Sequence, residues 1–324
     1  MKKEYFVMKK VISLILVLVM AVSLFAGCAS GNADGSVTRI AIVQQLDHSS
    51  LDEIRLAIEA EFAGEGYEIK VYNGQNDASM LNQIGTEVVS GDFDIVIPIA
   101  TLAAQTIVTA VDGTMPVVFA AVSDPEGNGL TGMDNVTGTS DALNTEFIMD
   151  MMFAAQPEIQ TVGLLYSNSE PNSEKPIAEA KAYLDAKGID YLEKTGNSAD
   201  EIVAAASSLV GRVEAVFTPT DNAVMAAEAA VAEILSDAGI AHYAGADSFV
   251  LSGAFATCGV NYTELGIKTG QMAKAILAGG EVGPFHVMEG GIITVNTETA
   301  AAVSVDYSVF SQMANTVTEV VTGE

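Results

Sequence analysis

Residues 95–111, IVIPIATLAAQTIVTAV, contain the unit that decides the fold. The first three residues form a short apolar run of β type, PIAT at 98–101 marks the end of the strand, and the residues from 102 follow the spacing of a helix. The same unit recurs along the chain from Arg39 onward. Short apolar strands that alternate with helices predict parallel sheets covered by helices on both faces.

Two arrays of such units follow one another, separated by a loop rich in Gly, Asn and Asp at 124–135. The first array predicts strands at 40–43, 67–72, 95–97 and 117–120, with helices near 50–63, 78–90 and 102–111. The second predicts helices near 143–154, 173–187, 199–210 and 222–238, with strands at 162–166, 189–192, 215–217 and 241–244. Two arrays of similar length predict an α/β protein with two doubly wound parallel-sheet lobes.

The sequence predicts two further elements, a helix near 262–278 and a strand near 292–295. They fit this plan if the chain returns to the first lobe for the helix and then to the second lobe for the strand. Several such crossings form a hinge that bends without letting the lobes drift apart. We therefore expect lobe 1 to comprise residues 38–140 and 259–285, and lobe 2 residues 141–258 and 286–310. A C-terminal tail at 311–324 fits no pattern.

The N-terminus has the features of a targeting segment. Lys9 and Lys10 precede an apolar run that ends at small residues before Cys28, and the run is shorter than the roughly 20 residues of a membrane span. We expect a lipoprotein signal peptide at 1–27, lipidation of Cys28 and a flexible tether at 28–37, so that the protein is extracytoplasmic and anchored to the cell membrane. An ordinary signal peptide with an incidental Cys is the alternative.

Charge and motif content exclude several classes of protein. The formal net charge is -28, and removal of residues 1–27 would leave 10 basic and 41 acidic residues, a net charge of -31 that repels nucleic acid. The three His residues lack metal-ligand spacing, and nucleotide-binding and hydrolase motifs are missing from the sequence. Cys258, in an apolar strand, is expected to be a small buried residue. We expect no enzyme activity, no cofactor and no metal.

Polar residues at the carboxyl ends of the predicted strands are candidates for a ligand site, because ligands of open α/β sheets bind there. Thr101 would cap the following helix and hold a ligand carboxylate, with Ser123 as a second donor. Asp221 and Asp247 could accept hydrogen bonds from a ligand ammonium, and His48 could reach the cleft. For each of these residues an ordinary cap, turn or surface role is the alternative.

Six ordered segments resemble motifs of the ABC transporter substrate-binding proteins whose characterised members bind tryptophan, tyrosine or phenylalanine. The segments are VQQLDH at 43–48 with SLD at 50–52, IAT at 99–101 with AQ at 104–105, AAVSDP at 120–125, LYSNSEPNS at 165–173, TPTDN at 218–222, and YTELG at 262–266 with GQMA at 270–273. The resemblance covers nearly all of residues 38–300. A Ser at position 123 replaces a more usual Thr, which leaves the identity of the ligand open.

The resemblance implies a type I periplasmic-binding-protein-like fold and an extracytoplasmic solute-binding protein of an ABC importer. The expected partners are a small ligand, an amino acid with aromatic ones favoured, and ABC permease and ATPase subunits. The resemblance assigns ligand contact to eight residues: His48, Thr101, Ser123, Ser169, Glu170, Asn172, Asp221 and Asn222. The alternatives are a sensory ligand-binding lipoprotein and a binding protein for another metabolite such as a nucleoside or a sugar.

Overall fold

The structure, a computed structural model, describes residues 37–323. The predicted signal peptide, the lipidation site Cys28 and the tether up to residue 36 lie outside the described residues. None of the helices in residues 37–323 is long and apolar enough to cross a membrane.

Thirteen strands and eleven α-helices make up the described chain. The strands are β1 Thr38–Gln44, β2 Tyr67–Asn73, β3 Ile95–Ile99, β4 Val117–Phe119, β5 Val136–Ser140, β6 Thr161–Tyr166, β7 Asp190–Thr195, β8 Ala215–Thr218, β9 Ala241–Ala244, β10 Ala256–Gly259, β11 His286–Val287, β12 Ile292–Asn296 and β13 Thr316–Val320. The helices are α1 Ser49–Glu61, α2 Ala78–Ser90, α3 Thr101–Val111, α4 Thr145–Ala155, α5 Pro171–Lys187, α6 Ala199–Ser207, α7 Asn222–Met225, α8 Glu228–Asp237, α9 Asp247–Leu251, α10 Tyr262–Leu277 and α11 Thr297–Val303. A 3₁₀-helix spans Ser308–Gln312.

The strands form two sheets, one for each predicted lobe. The first has the order β11-β5-β4-β3-β1-β2 and its pairs are parallel; the second has the order β13-β12-β10-β9-β8-β6-β7. Central strands are buried on both faces, as the continuous apolar run Ile40 to Val43 in β1 requires. These findings confirm the predicted α/β class with two doubly wound lobes.

The chain passes between the sheets at 141–144, 260–261 and 288–291, which gives the hinge three crossings. Helix α10 returns to the first lobe, where it packs against α1, as the sequence predicts. Cys258 is buried, also as predicted.

Several elements differ from the sequence predictions. Strand β5 was not predicted, because its sequence VTGTS lacks an apolar pattern. His286–Val287 pairs with Thr139 and Ser140 of β5, so these residues belong to the first sheet and not to lobe 2; a strand of two residues leaves no periodicity to read. The predicted tail at 311–324 contains β13, which pairs with β12 at the edge of the second sheet.

Two further differences concern the direction of strand β12 and the continuity of the helix predicted near 222–238. Strand β12 runs antiparallel to β10, so the second sheet is mixed where a purely parallel one was predicted. The single helix predicted near 222–238 is two helices, α7 and α8, separated at residues 226–227. The apolar residues keep a helical spacing from the four-residue helix into the ten-residue helix. The sequence pattern therefore does not reveal the break between them.

Candidate ligand-binding site

A cavity lies between the two lobes, where the carboxyl ends of the strands in the two sheets face each other. Three hydrogen bonds join the lobes at this cavity or beside it: Gln45 Nε2 donates to Glu170 Oε1 at 2.9 Å, His48 Nε2 lies 3.0 Å from Asn222 Oδ1, and Ser123 Oγ lies 3.2 Å from Thr220 Oγ1. The cavity lies at the place where open α/β sheets bind ligands.

Most of the predicted site residues line this cavity. They are His48, Thr101, Ser123, Asn172, Asp221 and Asn222. Glu170 lies behind the wall, bonded to Asn222 through Nδ2 at 2.8 Å. Ser169 is exposed and bonds Ser167, whereas Asp247 lines a different cavity.

Unpaired polar atoms are concentrated at this cavity. Nine buried side-chain nitrogen or oxygen atoms of residues 37–323 have no hydrogen-bond partner, and five of them belong to residues that line the cavity. These five are His48 Nδ1, Ser50 Oγ, Thr101 Oγ1, Asn172 Oδ1 and Ser248 Oγ. A buried polar atom without a partner costs about 1–3 kcal/mol, so such a group of atoms is typical of a site that a polar ligand completes.

The first lobe offers a site for a carboxylate at the start of α3. The prediction that Thr101 caps this helix is wrong: Ala100, with a φ of 78°, occupies the cap position and supplies no side-chain bond. The first helical bond runs from Ala104 N to Ala100 O, so the earlier N–H groups have no partner within the helix. These amides and the unpaired Thr101 hydroxyl favour an anion.

Strained backbone supports a functional role for the same edge of the first sheet. Ala100 and Ala121 follow β3 and β4, and both have left-handed φ values, 78° and 52°. Both residues line the cavity. Residues with a Cβ enter this region at a cost of about 1–3 kcal/mol, and such strain is common where backbone must approach a ligand.

Asp221 caps α7, which is the alternative that the sequence left open. Its Oδ1 accepts a hydrogen bond from Val224 N at 2.9 Å, and its Oδ2 accepts from Ser167 N and Ser173 Oγ, both at 2.7 Å. Both carboxylate oxygens are therefore engaged within the protein. Contact of Asp221 with a ligand ammonium stays a prediction.

Asp141 is a cavity residue that the sequence analysis missed. It is 6% exposed, lies in the first crossing between the lobes, and accepts hydrogen bonds from Ser123 Oγ at 3.0 Å and Tyr262 OH at 3.4 Å. Burial raises the pKa of its carboxyl, and no basic side chain in the described part of the chain forms an ion pair with it. The available signal was an acidic residue directly after a strand, but that strand, β5, was itself missed.

Both carboxyl oxygens of Glu170 accept hydrogen bonds: one from Gln45, which links the two lobes, and the other from Asn222 of its own lobe. Glu170 is 1% exposed. Burial, and secondly the charge of Asp221, raise the pKa of Glu170 to about 8. Two buried carboxylates this close cannot both ionise cheaply, so we assign the proton to Glu170 at neutral pH.

One hydroxyl–imidazole–carboxylate arrangement occurs in the second lobe. His242 Nε2 lies 2.8 Å from Thr218 Oγ1, and His242 Nδ1 lies 3.0 Å from Glu228 Oε1. All three residues are fully buried, and none of them lines the cavity between the lobes. Within residues 37–323 there is no group of three or more His, Cys, Asp or Glu side chains placed to hold a metal.

The lobes lie close together in this structure. The cavity between them has a volume of about 20 Å³, which accommodates about one water molecule. An amino acid therefore enters only if the lobes separate or the lining side chains move.

Comparisons with known proteins agree with this architecture. A family described as ABC transporter substrate binding protein matches residues 39–317. The tyrosine-binding protein of Clostridioides difficile strain R20291 is 29% identical over 318 residues, which cover 91% of this chain and 92% of that protein.

Two solved structures are similar over nearly the same region. A structure in complex with L-Trp from Streptococcus pneumoniae has a TM-score of 0.82 at 27% identity, covering 87% of this chain and 100% of that one. A ligand-free, open structure of a substrate-binding protein with adhesive properties from Clostridium difficile has a TM-score of 0.66 at 30% identity, covering 88% and 100%. Since the identities are nearly equal, the difference in TM-score indicates that the lobes here are arranged more like those of the L-Trp complex.

Proposed function

Since the chain belongs to the ABC transporter substrate-binding protein family, we propose that it captures an aromatic amino acid between its lobes and presents it to an ABC importer. Membership confirms the predicted family and its type I periplasmic-binding-protein-like fold. Such proteins work outside the cytoplasm as the ligand-binding component of a transporter, and the family is not an enzyme family. We propose accordingly that this protein binds its ligand without chemistry.

The observation that carries the ligand proposal is the set of five unpaired polar atoms around one cavity. A zwitterion fits this lining: its carboxylate would bind Thr101 Oγ1, one of the five atoms, and the amides that begin α3, and its ammonium would bind Asp141 in the crossing between the lobes. Asp221 is a weaker acceptor for the ammonium, because its oxygens already accept three hydrogen bonds within the protein. The similar proteins that bind tyrosine and L-Trp support an aromatic ligand.

The apolar part of the lining supports an aromatic side chain. Leu51, Met225 and Phe249 contribute to the cavity wall. A ring placed between such side chains would bury a large apolar area, and a thioether beside an aromatic ring adds a further favourable contact. Separation of the lobes makes room for the ring, and closure then completes both sets of polar contacts, so the ligand favours the closed form.

Calorimetric titration with L-tyrosine, L-tryptophan and L-phenylalanine, and with nucleosides and sugars, tests the ligand class. We expect an aromatic amino acid to bind most tightly. Asp141→Asn should weaken that binding by about 1.5–3 kcal/mol, because a hydrogen bond to a charged group is lost. Asp237→Asn, at an exposed position that is not part of the cavity lining, is the control and should bind as the wild type does.

Two results would contradict the proposal. One is tighter binding of a sugar or a nucleoside than of any amino acid. The other is an unchanged affinity of Asp141→Asn for the amino acid that binds best, which would remove Asp141 from the ligand site.

We also propose that lipid on Cys28 holds the protein at the membrane. The support is the sequence pattern of residues 1–28, which lie outside the described residues. Cys28→Ser should release the protein into the medium of the producing cells, whereas Cys258→Ser, which changes the buried cysteine, should leave it in the membrane fraction. Retention of Cys28→Ser in the membrane fraction would count against lipidation.

A further inference from the structure

A second cavity lies at the junction of the lobes, next to the ligand cavity. Its volume is about 280 Å³, and Tyr262 lines both cavities. Oxygen-bearing side chains of both lobes line it: Glu53, Asp247, Asn261, Thr257, Thr294 and Thr318. No basic residue contributes to its lining, so the cavity is negatively charged.

Two carboxylates from opposite lobes face this cavity. Glu53 lies on α1 of the first lobe, where it accepts hydrogen bonds from the backbone N–H and the hydroxyl of Thr263, and Asp247 is the first residue of α9 in the second lobe. Neither forms an ion pair with a basic side chain in the described part of the chain. Closing the lobes brings like charges together here without compensation.

The ionisation of Asp247 reflects this arrangement. Burial, and secondly the charge of Glu53, raise the pKa of Asp247 to about 6, while hydrogen bonds from the backbone N–H groups at Ser248 and Asp247 act in the opposite direction. Burial, and secondly the charges of Asp141, Asp247 and Glu53, raise the pKa of the Tyr262 phenol.

Thr257 supplies an independent sign of a ligand in the cavity. Its side chain is 0% exposed and its hydroxyl has no hydrogen-bond partner. Its neighbours in β10, Ala256 and Cys258, point into the core of the second lobe. Because side chains alternate along a strand, Thr257 projects from the opposite face of the sheet. Its cross-strand partner Thr294 also lines the cavity. An unpaired buried hydroxyl and two carboxylates without an ion-pair partner therefore line one oxygen-rich cavity.

We propose that this cavity binds a hard divalent cation, Ca²⁺ by preference, which joins Glu53 of the first lobe to Asp247 of the second. Carboxylate and hydroxyl oxygens in an irregular arrangement suit Ca²⁺, whereas Mg²⁺ requires a nearly octahedral set. The volume accommodates the ion with several of its water molecules. Because only two carboxylates contribute, binding should be weak, with a Kd of about 10⁻⁴–10⁻³ M.

The test is a calorimetric titration of CaCl₂ into the EDTA-treated protein near neutral pH, with no amino acid present, so that its outcome does not depend on the function proposed above. Wild type should bind one Ca²⁺ in the stated range. Asp247→Asn and Glu53→Gln should each weaken binding by about tenfold or more, because one of two charged ligands is lost. Glu65→Gln, in an exposed loop, is the matched control and should bind as wild type does.

A second readout separates a cation site from a merely structural role. In EDTA, Asp247→Asn should have a Tm at least as high as that of wild type, because the substitution removes a buried charge that repels Glu53. In the presence of Ca²⁺ only wild type and the control should gain stability. Absence of Ca²⁺ binding to wild type at millimolar concentrations, or equal affinity in wild type and both cavity variants, overturns the proposal.

Discussion

Glu170 is a buried carboxyl at the contact between the lobes, and burial together with the charge of Asp221 raises its pKa. In the closed, folded protein its pKa is raised from 4.5 to about 8, so between these values the folded form holds a proton that the unfolded chain does not. The stabilising contribution of this group is therefore complete below pH 4.5, decreases as the pH rises, and is lost above about pH 8. Stability should decrease with pH over that window.

Glu170→Gln should weaken this pH dependence. The neutral amide removes the cost of ionisation, so we expect the variant to show a smaller decrease in Tm between pH 5 and pH 8 and a higher Tm than wild type at pH 8. Part of the dependence should remain, because burial also raises the pKa of Asp141 and, together with the charge of Glu53, that of Asp247. Glu174→Gln, at an exposed position in the first turn of α5, which begins directly after Glu170, is the control. Identical pH profiles of wild type and Glu170→Gln would contradict the account.

For individual site residues, the sequence predicted which residues line the cavity better than it predicted the role of each residue. The strand-end rule found His48, Thr101 and Ser123, because the position of a residue after a strand can be read from the apolar pattern. It misjudged Thr101, since capping depends on the backbone of Ala100, whose φ of 78° no propensity suggests. It missed Asp141, because its preceding strand has no apolar pattern.

Among the elements, the pair of helices α1 and α10 shows how the late part of the chain is fixed to the first lobe. Gly266 and Gly270 of α10 face α1, and a Cβ on Gly266 would lie 2.6 Å from Ile54 O and 2.7 Å from Ala57 Cβ. A Cβ on Gly270 would lie 2.8 Å from Glu61 Cβ. The helices thus approach each other more closely than any side chain at these positions permits.

Gly266→Ala should destabilise the protein. The methyl group would push α10 away from α1, and overpacking of this kind costs about 1–3 kcal/mol. Urea unfolding measures the change in the free energy of unfolding. Gly283→Ala is the control, because a Cβ at Gly283 meets no atom within 4 Å; equal stability of the two variants would show that the close approach is not required.

Most of the strands that the sequence predicted are buried, although the largely exposed β2 and β7 were predicted as well. Strand β3 is apolar over its whole length and β1 is apolar from Ile40 to Val43, and a continuous apolar run bounded by turns is a strong strand signal. The edge strands β11 and β13 gave no such signal. Strand β11 has two residues, and β13, TVTEV, is largely exposed and has only two apolar residues, so tertiary pairing rather than local pattern defines both.

The whole molecule consists of two lobes whose inner faces share one apolar cluster. That cluster includes Ile97 of the first sheet and Val216 of the second, together with Phe249 and Tyr262 beside the ligand cavity. Closure therefore gains apolar burial as well as the hydrogen bonds that Gln45 and His48 make across the cleft.

The two-lobe plan was predictable because it depends on the order of elements along the chain. The angle between the lobes was not, because it depends on a few contacts at the hinge and cleft.

Small-angle scattering of the protein, with and without the aromatic amino acid that binds best in calorimetry, tests the central claim most directly. If the lobes open to admit the ligand and close around it, the radius of gyration should decrease on addition of saturating ligand, and Asp141→Asn should need more ligand to reach the same decrease. Scattering curves that are identical with and without ligand, while calorimetry shows the ligand bound, would contradict closure around a small molecule.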